Sequence, residues 1–182
     1  IMSEIGKFLM NGSLYRGVKP VMWSPVEKTA LAEAEIEYHD HTSTTIFARF
    51  PIIEASVEAL KSFQIIIWTT TPWTMPGNRA VAYGREIDYS FIKISKVNDS
   101  SLAKNGDQIG IASDLLENVI KELMIEEYEE VLKLKGSDLN GMKLAHPLRD
   151  FGYPHDVLLL EADFVTTDQG TGFVHIAPGH GS

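Results

Sequence analysis

The sequence contains no cysteine among its 182 residues. Disulfides, thiolate nucleophiles and zinc sites with cysteine ligands are therefore all excluded. Any chemistry must rest on other side chains. Because the reducing cytosol disfavours disulfides, a chain without cysteine fits that compartment, and we expect a cytoplasmic protein.

Long apolar stretches are missing as well. No run approaches the roughly 20 apolar residues that a helix needs to cross a bilayer, and we expect no membrane partner. The first 17 residues also lack the charged-then-apolar order of a secretory signal. Because the chain begins with Ile1, we expect it to start inside a longer protein.

Positive charge is scarce. Lysine and arginine number 16 against 25 aspartate and glutamate residues, which gives a formal net charge of −9. General binding to nucleic acid needs clustered basic residues that neutralise phosphates. We therefore expect any RNA contact to be local and to involve a strand end rather than a long duplex.

The composition that remains is that of an ordinary globular protein, with 44% hydrophobic, 23% charged and 9% aromatic residues. The length allows one sizeable hydrophobic core. No repeat, low-complexity tract or linker divides the chain. We therefore predict a single domain over residues 1–182, and we expect a monomer.

Strand patterns prevail in the first half of the chain. Apolar and acidic residues alternate over Ala32–Tyr38 and predict a half-buried strand, although alanine and glutamate favour helix. Thr44–Pro51 predicts a second strand. Gln64–Thr70 is β-branched and almost wholly apolar, which is typical of a strand buried on both faces. It ends before Pro72, and residues 72–78 predict a loop.

The second half adds short strands and few helices. Asp114 is placed to cap a helix that runs to Met124 and has an apolar stripe at Leu115, Leu116, Val119, Ile120 and Leu123. Other elements are a short helix at Ser56–Ser62 and strands at Arg79–Tyr83, Tyr89–Ile94, Glu129–Leu134, Val157–Leu160 and Gly172–Ile176. The predicted fold class is β-rich α+β, a barrel-like domain with a few peripheral helices.

Three threonines, Thr69, Thr70 and Thr71, leave the most hydrophobic strand between Trp68 and Pro72-Trp73. Their hydroxyls and backbone N–H groups are available at a strand end because proline cannot continue the ladder. Threonine also favours strands, and tryptophan fills cores, so the same run is compatible with plain scaffold. The three threonines alone favour the scaffold role; with the two flanking tryptophans and the Pro-Gly-Asn turn at 76–78, a ligand site and a scaffold role are equally supported.

A second unusual segment runs from Asp168 through DQGTGFVHIAPGHG. Gly170 and Gly172 allow close backbone approach, and His175 follows a short apolar strand. A lone histidine in such a place is more often a structural group than a catalyst. The glycines do not form a dinucleotide fingerprint, because no G-x-G-x-x-G accompanies them.

The histidines do not favour metal catalysis. His39 and His41 would share one strand face, and His175 and His180 are five residues apart. Neither pair is accompanied by an acidic ligand at a helical spacing. A serine hydrolase is also poorly supported, since the G-x-S-x-G turn is missing.

Together the two segments resemble the editing domain of isoleucyl-tRNA synthetases. The run WTTTPWTMPGN is similar to the threonine-rich peptide of that domain, and GTGFVHIAPGHG is similar to its second editing motif. Upstream, LYRGVKPVMWSP and TALAEAEIEY resemble the segment that leads into the domain. The valyl and leucyl enzymes tend to have Arg-Pro in place of Thr71-Pro72, so the resemblance favours the isoleucine enzyme.

The resemblance implies a connective polypeptide inserted into the Rossmann-type catalytic domain of a class I synthetase. The signatures His-Ile-Gly-His and Lys-Met-Ser-Lys-Ser are absent from this sequence, so it should not form adenylates. The expected reaction is hydrolysis of mischarged valyl-tRNA(Ile), with valyl-adenylate as a further candidate substrate. Editing then needs no cofactor, since ATP and magnesium serve the synthetic domain. The expected partners are the valine-bearing 3′ end of tRNA(Ile) and the remainder of the synthetase.

The resemblance also assigns roles to residues. Thr69, Thr70 and Thr71 would hold the terminal adenosine and the ester and would position water, while His175 would exclude the longer isoleucine side chain by bulk. Substrate-binding positions would be Trp68, Trp73, Thr74, Asn78, Gly172 and Ala177. No side-chain nucleophile is needed, because an aminoacyl ester is already activated.

The family has an aspartate that binds the substrate ammonium shortly after the Gly-His-Gly turn. This position is expected just beyond Ser182, and neither Asp163 nor Asp168 matches it. The sequence therefore leaves other hypotheses open: a module that binds aminoacyl-adenosine without turnover, an editing domain of a valyl or leucyl enzyme, or an unrelated metallohydrolase that uses histidines.

Overall fold

The computed structural model describes residues 1–18 and 20–179, which divide into two compact units. The first unit comprises Ile1–His41 and contains helix α1 (Met2–Met10) and an antiparallel pair of strands, β1 (Trp23–Ser24) and β2 (Thr29–Ala30). None of its described residues is buried. The second unit begins at Thr42 and contains the core. The prediction of a single domain over the whole chain stays a prediction.

The strand predicted at Ala32–Tyr38 is wrong. The structure has a short 3-10 helix at Glu33–Glu35, and the Glu35 carboxylate accepts the backbone N–H of Ala32 at 2.7 Å. The alternation fails because Ala32, Ala34 and Tyr38 are exposed, so no apolar face is buried. A period of two predicts a strand only where one face has a core to pack against.

Among the described residues, the second unit is built on a nine-stranded sheet with β11 at one edge and β8 at the other. The sheet order is β11-β5-β10-β9-β3-β4-β7-β6-β8. The strands are β3 (Ile46–Glu54), β4 (Gln64–Thr69), β5 (Ala80–Tyr83), β6 (Asp88–Val97), β7 (Gln108–Ala112), β8 (Ile125–Lys135), β9 (Lys143–Ala145), β10 (Asp156–Glu161) and β11 (Phe173–Ile176). Helix α2 (Leu116–Glu122) and 3-10 helices at Glu58–Ser62, Pro72–Gly77, Ser113–Leu115, Gly136–Leu139 and Arg149–Phe151 connect them.

Strand β3 joins the two halves of this sheet. Its first part pairs with β4, from Ile46 opposite Thr69 to Pro51 opposite Gln64, and its end pairs with β9 after a register shift. Strand β11 also contacts β4, although the two are not neighbours in the sheet. The sheet therefore curls over its own core. The predicted β-rich α+β class is confirmed.

The core of the second unit follows from β-branched and aromatic side chains. Ile65, Ile66 and Ile67 of β4 are all buried, which confirms that this strand is covered on both faces. The apolar stripe predicted for the helix is confirmed, since all five of its residues are buried. Asp114 does not cap that helix, however, because the chain first forms a 3-10 turn at Ser113–Leu115 and α2 begins at Leu116.

The remaining predicted elements are confirmed with shifted ends, but four strands and helix α1 were not predicted. Strands β3, β5, β6, β8, β10 and β11 lie on the predicted segments, and Ser56–Ser62 forms a 3-10 helix from Glu58. The strands that the sequence did not predict are β1, β2, β7 and β9. All four are short: β1 and β2 have two residues each, β7 contains Gly110, and β9 spans only Lys143–Ala145, so none shows a long β-branched run.

Candidate active site

The chain forms a tight turn where it leaves β4. The Thr71 backbone N–H donates to Thr69 Oγ1 at 3.1 Å, and the Thr74 N–H donates to the Thr71 carbonyl at 3.0 Å. Pro72 stands at the start of the resulting 3-10 helix, Pro72–Gly77, where its missing N–H costs no hydrogen bond. The loop predicted for residues 72–78 is therefore wrong, because the chain forms a 3-10 helix with proline in its first turn.

Five polar side chains are linked by hydrogen bonds around this turn, and we call them the polar network: Thr69, Thr71, Thr74, Asn78 and His175. Thr71 Oγ1 lies 3.2 Å from Thr69 Oγ1 and 3.4 Å from Thr74 Oγ1. Thr74 Oγ1 lies 2.9 Å from His175 Nε2, and Asn78 Nδ2 lies 2.7 Å from His175 Nδ1. The two segments singled out in the sequence thus meet at one place.

The sheet explains why His175 reaches the turn. Strand β11 pairs antiparallel with β5, which begins directly after the turn, and His175 lies opposite Val81. The Arg79 N–H donates to the Ile176 carbonyl at 2.9 Å and extends this pairing back to the end of the turn. A residue 101 positions from Thr74 in sequence is therefore fixed beside it.

These two partners of His175 define the roles of its ring nitrogens. Asn78 Nδ2 is an amide nitrogen that can only donate, and it also donates to the Ala80 carbonyl at 2.8 Å, so His175 Nδ1 accepts. His175 Nε2 then donates to Thr74 Oγ1, and the Thr74 hydroxyl donates to the Thr71 carbonyl at 2.8 Å. The histidine is held by both ring nitrogens in one orientation.

Exposure varies across the predicted threonines and their neighbours. Asn78, Thr74 and Thr69 are buried, with 0%, 6% and 8% exposure, whereas Thr71 and His175 are half-buried. Thr70 is exposed, and its carbonyl accepts the Ser43 hydroxyl at 3.0 Å. Three members of the network are thus buried, and solvent reaches the other two, Thr71 and His175.

Asn78 carries an additional feature. Its Oδ1 atom is buried and accepts no hydrogen bond from the residues that the structure describes. A buried acceptor without a partner is costly, so such atoms are rare in folded proteins.

The two tryptophans differ in their surroundings. Trp68 is half-buried and lines an open pocket of about 600 Å³, while the Trp73 side chain is 69% exposed. The pocket is completed by residues from the 3-10 helix before α2, from α2 itself and from the second motif: Leu115, Asn118, Lys121, Glu122, Asp168, Gln169 and Gly170. The contribution of α2 was not predicted, because nothing in its sequence pattern distinguishes its exposed face from an ordinary solvated one.

Gly172 is a packing residue in this structure. Its φ angle is +76°, and a Cβ atom there would lie 2.2 Å from Ala112 Cβ, so only glycine fits. Its carbonyl accepts the Tyr89 hydroxyl at 2.8 Å, and Tyr89 stacks on Phe173. Burial raises the pKa of Tyr89 to about 12. Ala177 is half-buried directly after β11.

Two histidines that the sequence did not single out contact the main chain of the same turn, and with Arg79 and Tyr153 we call them the histidine cluster. His146 Nε2 lies 3.0 Å from the Met75 carbonyl oxygen, and His155 Nε2 lies 3.0 Å from that of Asn78. Burial lowers the pKa of the His146 imidazole below its usual value.

Within residues 1–18 and 20–179, no group of three or more histidine, cysteine, aspartate or glutamate residues is arranged to hold a metal ion. His39 lies at the surface, 3.4 Å from Glu37, and His180 is outside the described residues. No helix in the described ranges is long and apolar enough to span a bilayer.

Residues 1–131 match the family model of the class I tRNA synthetases (I, L, M and V). The whole chain is 54% identical to an isoleucine--tRNA ligase of Gluconobacter oxydans and 51% identical to one of Pelagibacter ubique. It spans 19% and 20% of the length of these two relatives. The chain therefore matches about a fifth of each longer enzyme.

The fold is similar to that in the crystal structure of GlLeuRS-CP1. The TM-score is 0.55 at 18% sequence identity, and the match covers 72% of this chain and 54% of the other. At this identity the comparison establishes a shared fold.

Proposed function

The chain belongs to the class I tRNA synthetase family, and we propose that it is the editing domain of an isoleucine-specific member, which hydrolyses valyl-tRNA(Ile). The observation that carries the proposal is the polar network. It brings the threonine-rich turn and His175 together, half-exposes Thr71 and His175, and includes no charged nucleophile. Such a site suits a substrate that needs only oriented water.

The reaction is hydrolysis of the ester between valine and the terminal ribose. A water oxygen bonds to the ester carbonyl carbon, the bond from that carbon to the ribose oxygen breaks, and the ribose oxygen takes up a proton from the water. Threonine hydroxyls held at fixed positions can orient the water and stabilise the carbonyl oxygen as charge develops on it. Thr71, half-buried and tied to Thr69 and Thr74, is the hydroxyl best placed for this task.

The pocket beside Trp68 shares no lining residue with the polar network, but Trp68 directly precedes Thr69, and we propose that this pocket receives the nucleic-acid end of the substrate. Its volume of about 600 Å³ is within the range typical of small-molecule sites. An indole face gives a stacking surface for a base regardless of its identity. Lys121 supplies a cation, although Glu122 and Asp168 lie in the same lining. One nucleotide fits this chemistry better than an extended RNA, in agreement with the net charge of −9.

His175 is the proposed discriminator between valine and isoleucine. Both of its ring nitrogens are hydrogen-bonded, so the imidazole cannot swing aside to admit a larger side chain. The discrimination of valine from isoleucine is the standard case in which one methylene contributes only about 1–3 kcal/mol in a synthetic pocket. A second pocket closed to isoleucine by a rigid ring corrects the resulting error.

Further parts of the proposal concern the surroundings of the domain. The remainder of the synthetase would supply the main grip on tRNA, and the 3′ end carrying valine would enter the pocket. Editing would proceed in the cytoplasm without a cofactor, and the domain would act as a monomer. Thr70, Trp73 and Ala177 would contact the substrate at the mouth of the site.

The test is deacylation of valyl-tRNA(Ile) by the parent synthetase, with isoleucyl-tRNA(Ile) as the comparison and with and without chelator. We expect metal-independent hydrolysis of the valyl ester and little hydrolysis of the isoleucyl ester. Thr71→Ala should slow the reaction, whereas Thr44→Ala, an exposed threonine before β3, should not. Binding of a valyl-adenosine analogue without turnover would contradict the proposal, as would activity that the chelator removes.

A further inference from the structure

The turn that carries Thr74 and Asn78 is held through its main chain as well as through its side chains. His146 follows β9 directly and His155 precedes β10 directly, and these strands pair antiparallel with Ala145 opposite Asp156. Strand β10 in turn pairs with β5, which begins two residues after Asn78. The topology therefore brings both histidines to the end of the turn.

The hydrogen bonds of His146 fix its tautomer. The Leu148 backbone N–H, which can only donate, lies 3.0 Å from His146 Nδ1, so that nitrogen accepts. The proton is then on Nε2, which donates to the Met75 carbonyl. The same carbonyl accepts the Asn78 N–H at 3.0 Å and closes the last turn of the 3-10 helix. With 1% exposure, His146 is out of reach of any ligand.

His155 lies against the other carbonyl, with its Nε2 atom 3.0 Å from Asn78 O. The exposed Arg79 can only donate, and its Nη1 atom lies 2.9 Å from the same Nε2 and 3.3 Å from Nδ1. His155 Nε2 can therefore donate to Asn78 or accept from Arg79, but not both. The His146 ring packs against that of His155, with centroids 4.8 Å apart, and stacks on Tyr153 at 5.3 Å. Only His146 is thus fixed as a donor to the main chain of the turn.

We propose that His146 is a positioning residue for the proposed editing reaction, on which this inference rests. By donating to the Met75 carbonyl, it sets the path of the turn that places Thr74 and Asn78 against His175. It does not touch the substrate. Its influence reaches the reaction through the orientation of the polar network.

A merely structural role would predict that any loss at His146 lowers stability and nothing else. Two variants separate the roles, because each keeps one of the two hydrogen bonds. His146→Gln places an amide N–H near the former Nε2 and keeps the bond to Met75. His146→Asn places an amide oxygen near the former Nδ1 and keeps the bond from Leu148. Both lose the imidazole and one bond, so their melting temperatures should fall by similar amounts.

The first readout does not depend on activity. NMR of the 182-residue chain measures the hydrogen exchange of the Asn78 backbone N–H and the chemical shifts of the His175 ring nitrogens. We expect His146→Asn to speed Asn78 exchange roughly tenfold and to shift the His175 signals, and His146→Gln to change both much less. Equal changes in the two variants, or none, would overturn the inference.

The second readout is hydrolysis of valyl-tRNA(Ile) by the parent synthetase. We expect His146→Asn to lower kcat roughly tenfold to a hundredfold with little change in KM, because misplacement within the site affects the reacting geometry most. His146→Gln should stay within about threefold of the unaltered enzyme. A kcat that falls equally in both variants would contradict the inference.

The two readouts separate this inference from the proposed function. If the unaltered synthetase hydrolyses no aminoacyl ester, the proposed function fails, while the NMR comparison still decides whether His146 sets the turn. If hydrolysis is present but the ordering of the two His146 variants is not, the positioning role alone is wrong.

Discussion

The polar network and the histidine cluster contact the same turn, but they do so with different groups. The network is made of side chains that bond mainly to one another, and two of its members, Thr71 and His175, are half-exposed. The histidines of the cluster contact backbone carbonyls, and His146 is closed to solvent. Groups that meet a substrate must keep some exposure, whereas groups that hold a scaffold can be buried completely. Changes in the network should therefore alter the reaction directly, and changes in the cluster should lower stability and alter the reaction only through the orientation of the network.

The largest expected effect comes from removing the half-buried Thr71 hydroxyl of the network together with the hydroxyl of the adjacent, exposed Thr70. Replacing Thr70 and Thr71 together by alanine should slow deacylation about 10²–10³-fold, the loss typical of removing groups that orient water and stabilise a developing oxyanion. Stability should change little, because Thr70 is exposed and Thr71 is half-buried. Deacylation rates and melting temperature are measured on the same preparations.

The matched control for this pair is Thr44→Ala with Thr45→Ala, two adjacent exposed threonines of the second unit. This double variant should retain full activity. If the Thr70/Thr71 variant instead lost much of its stability and kept its activity per folded molecule, the run would be scaffold, and the contrast between the two regions would disappear.

The next effect is on specificity. His175→Ala should allow the parent enzyme to deacylate correctly charged isoleucyl-tRNA, with a rate gain of roughly 10–100-fold, since one methylene corresponds to about 1–3 kcal/mol. The loss of its bonds to Thr74 and Asn78 should also lower stability by about 1–3 kcal/mol. Isoleucyl-tRNA hydrolysis and urea unfolding test the two parts separately.

Two further variants sharpen this result. His175→Gln fills similar space and should still spare isoleucyl-tRNA, while Val174→Ala, at an outward-facing position of the same strand, should leave specificity unchanged. Sparing of isoleucyl-tRNA by a folded His175→Ala variant would show that bulk at this position is not the discriminator.

The two regions also differ in how far the sequence reveals them. The threonine run and the glycine-rich segment stand out because unusual residues are adjacent in sequence, and the structure brings Thr71, Thr74 and His175 together. His146 and His155 left no such mark. Their partners are backbone carbonyls 71 and 77 positions away, and a carbonyl is present at every residue. No local sequence pattern distinguishes a histidine that is hydrogen-bonded to a distant backbone carbonyl from a histidine at the surface.

The fold shows the same division. Gln64–Thr69 was predictable because three consecutive isoleucines have few alternatives to a buried strand. The strand prediction over Ala32–Tyr38 failed because an alanine side chain has little apolar area to bury, so the alternating pattern does not hold the segment against a core. The role of Tyr89 beneath Gly172 was equally hidden, since it depends on an approach between residues 83 positions apart.

A smaller effect concerns stability and pH. The pKa of His146 is lowered in the folded protein, chiefly by burial, from an ordinary value near 6.5. As pH falls below about 6.5, the unfolded chain takes up this proton first, so the free energy of unfolding should decrease with falling pH. Above that value this group should contribute no pH dependence. Urea unfolding between pH 5 and 8 measures the slope.

His146→Gln should flatten this slope, since its side chain does not titrate. His39→Gln serves as the control, because His39 is exposed in the folded chain as it is in the unfolded one. If the free energy of unfolding of His146→Gln keeps the same dependence on pH, another group causes the acid sensitivity, and burial does not disfavour protonation of His146.

The smallest expected effect is that of salt on binding. The polar network is uncharged, and the Trp68 pocket contributes one cation, Lys121, beside Glu122 and Asp168. A valyl-adenosine analogue should therefore bind with almost no salt dependence. An oligonucleotide ending in the same analogue should show a slope of log affinity against log salt of about −0.7, the value for one neutralised phosphate on a single strand.

Lys121→Ala should remove that slope, while Lys61→Ala, at an exposed lysine paired with Glu58, should leave it unchanged. The comparison isolates the pocket, because both substitutions change the net charge equally and only one alters the lining. A slope several times steeper than about −0.7 would require many phosphate contacts. Affinity would then reside in the RNA backbone rather than in the terminal nucleotide and its amino acid, and a chain with nine excess negative charges would need a basic surface outside both regions.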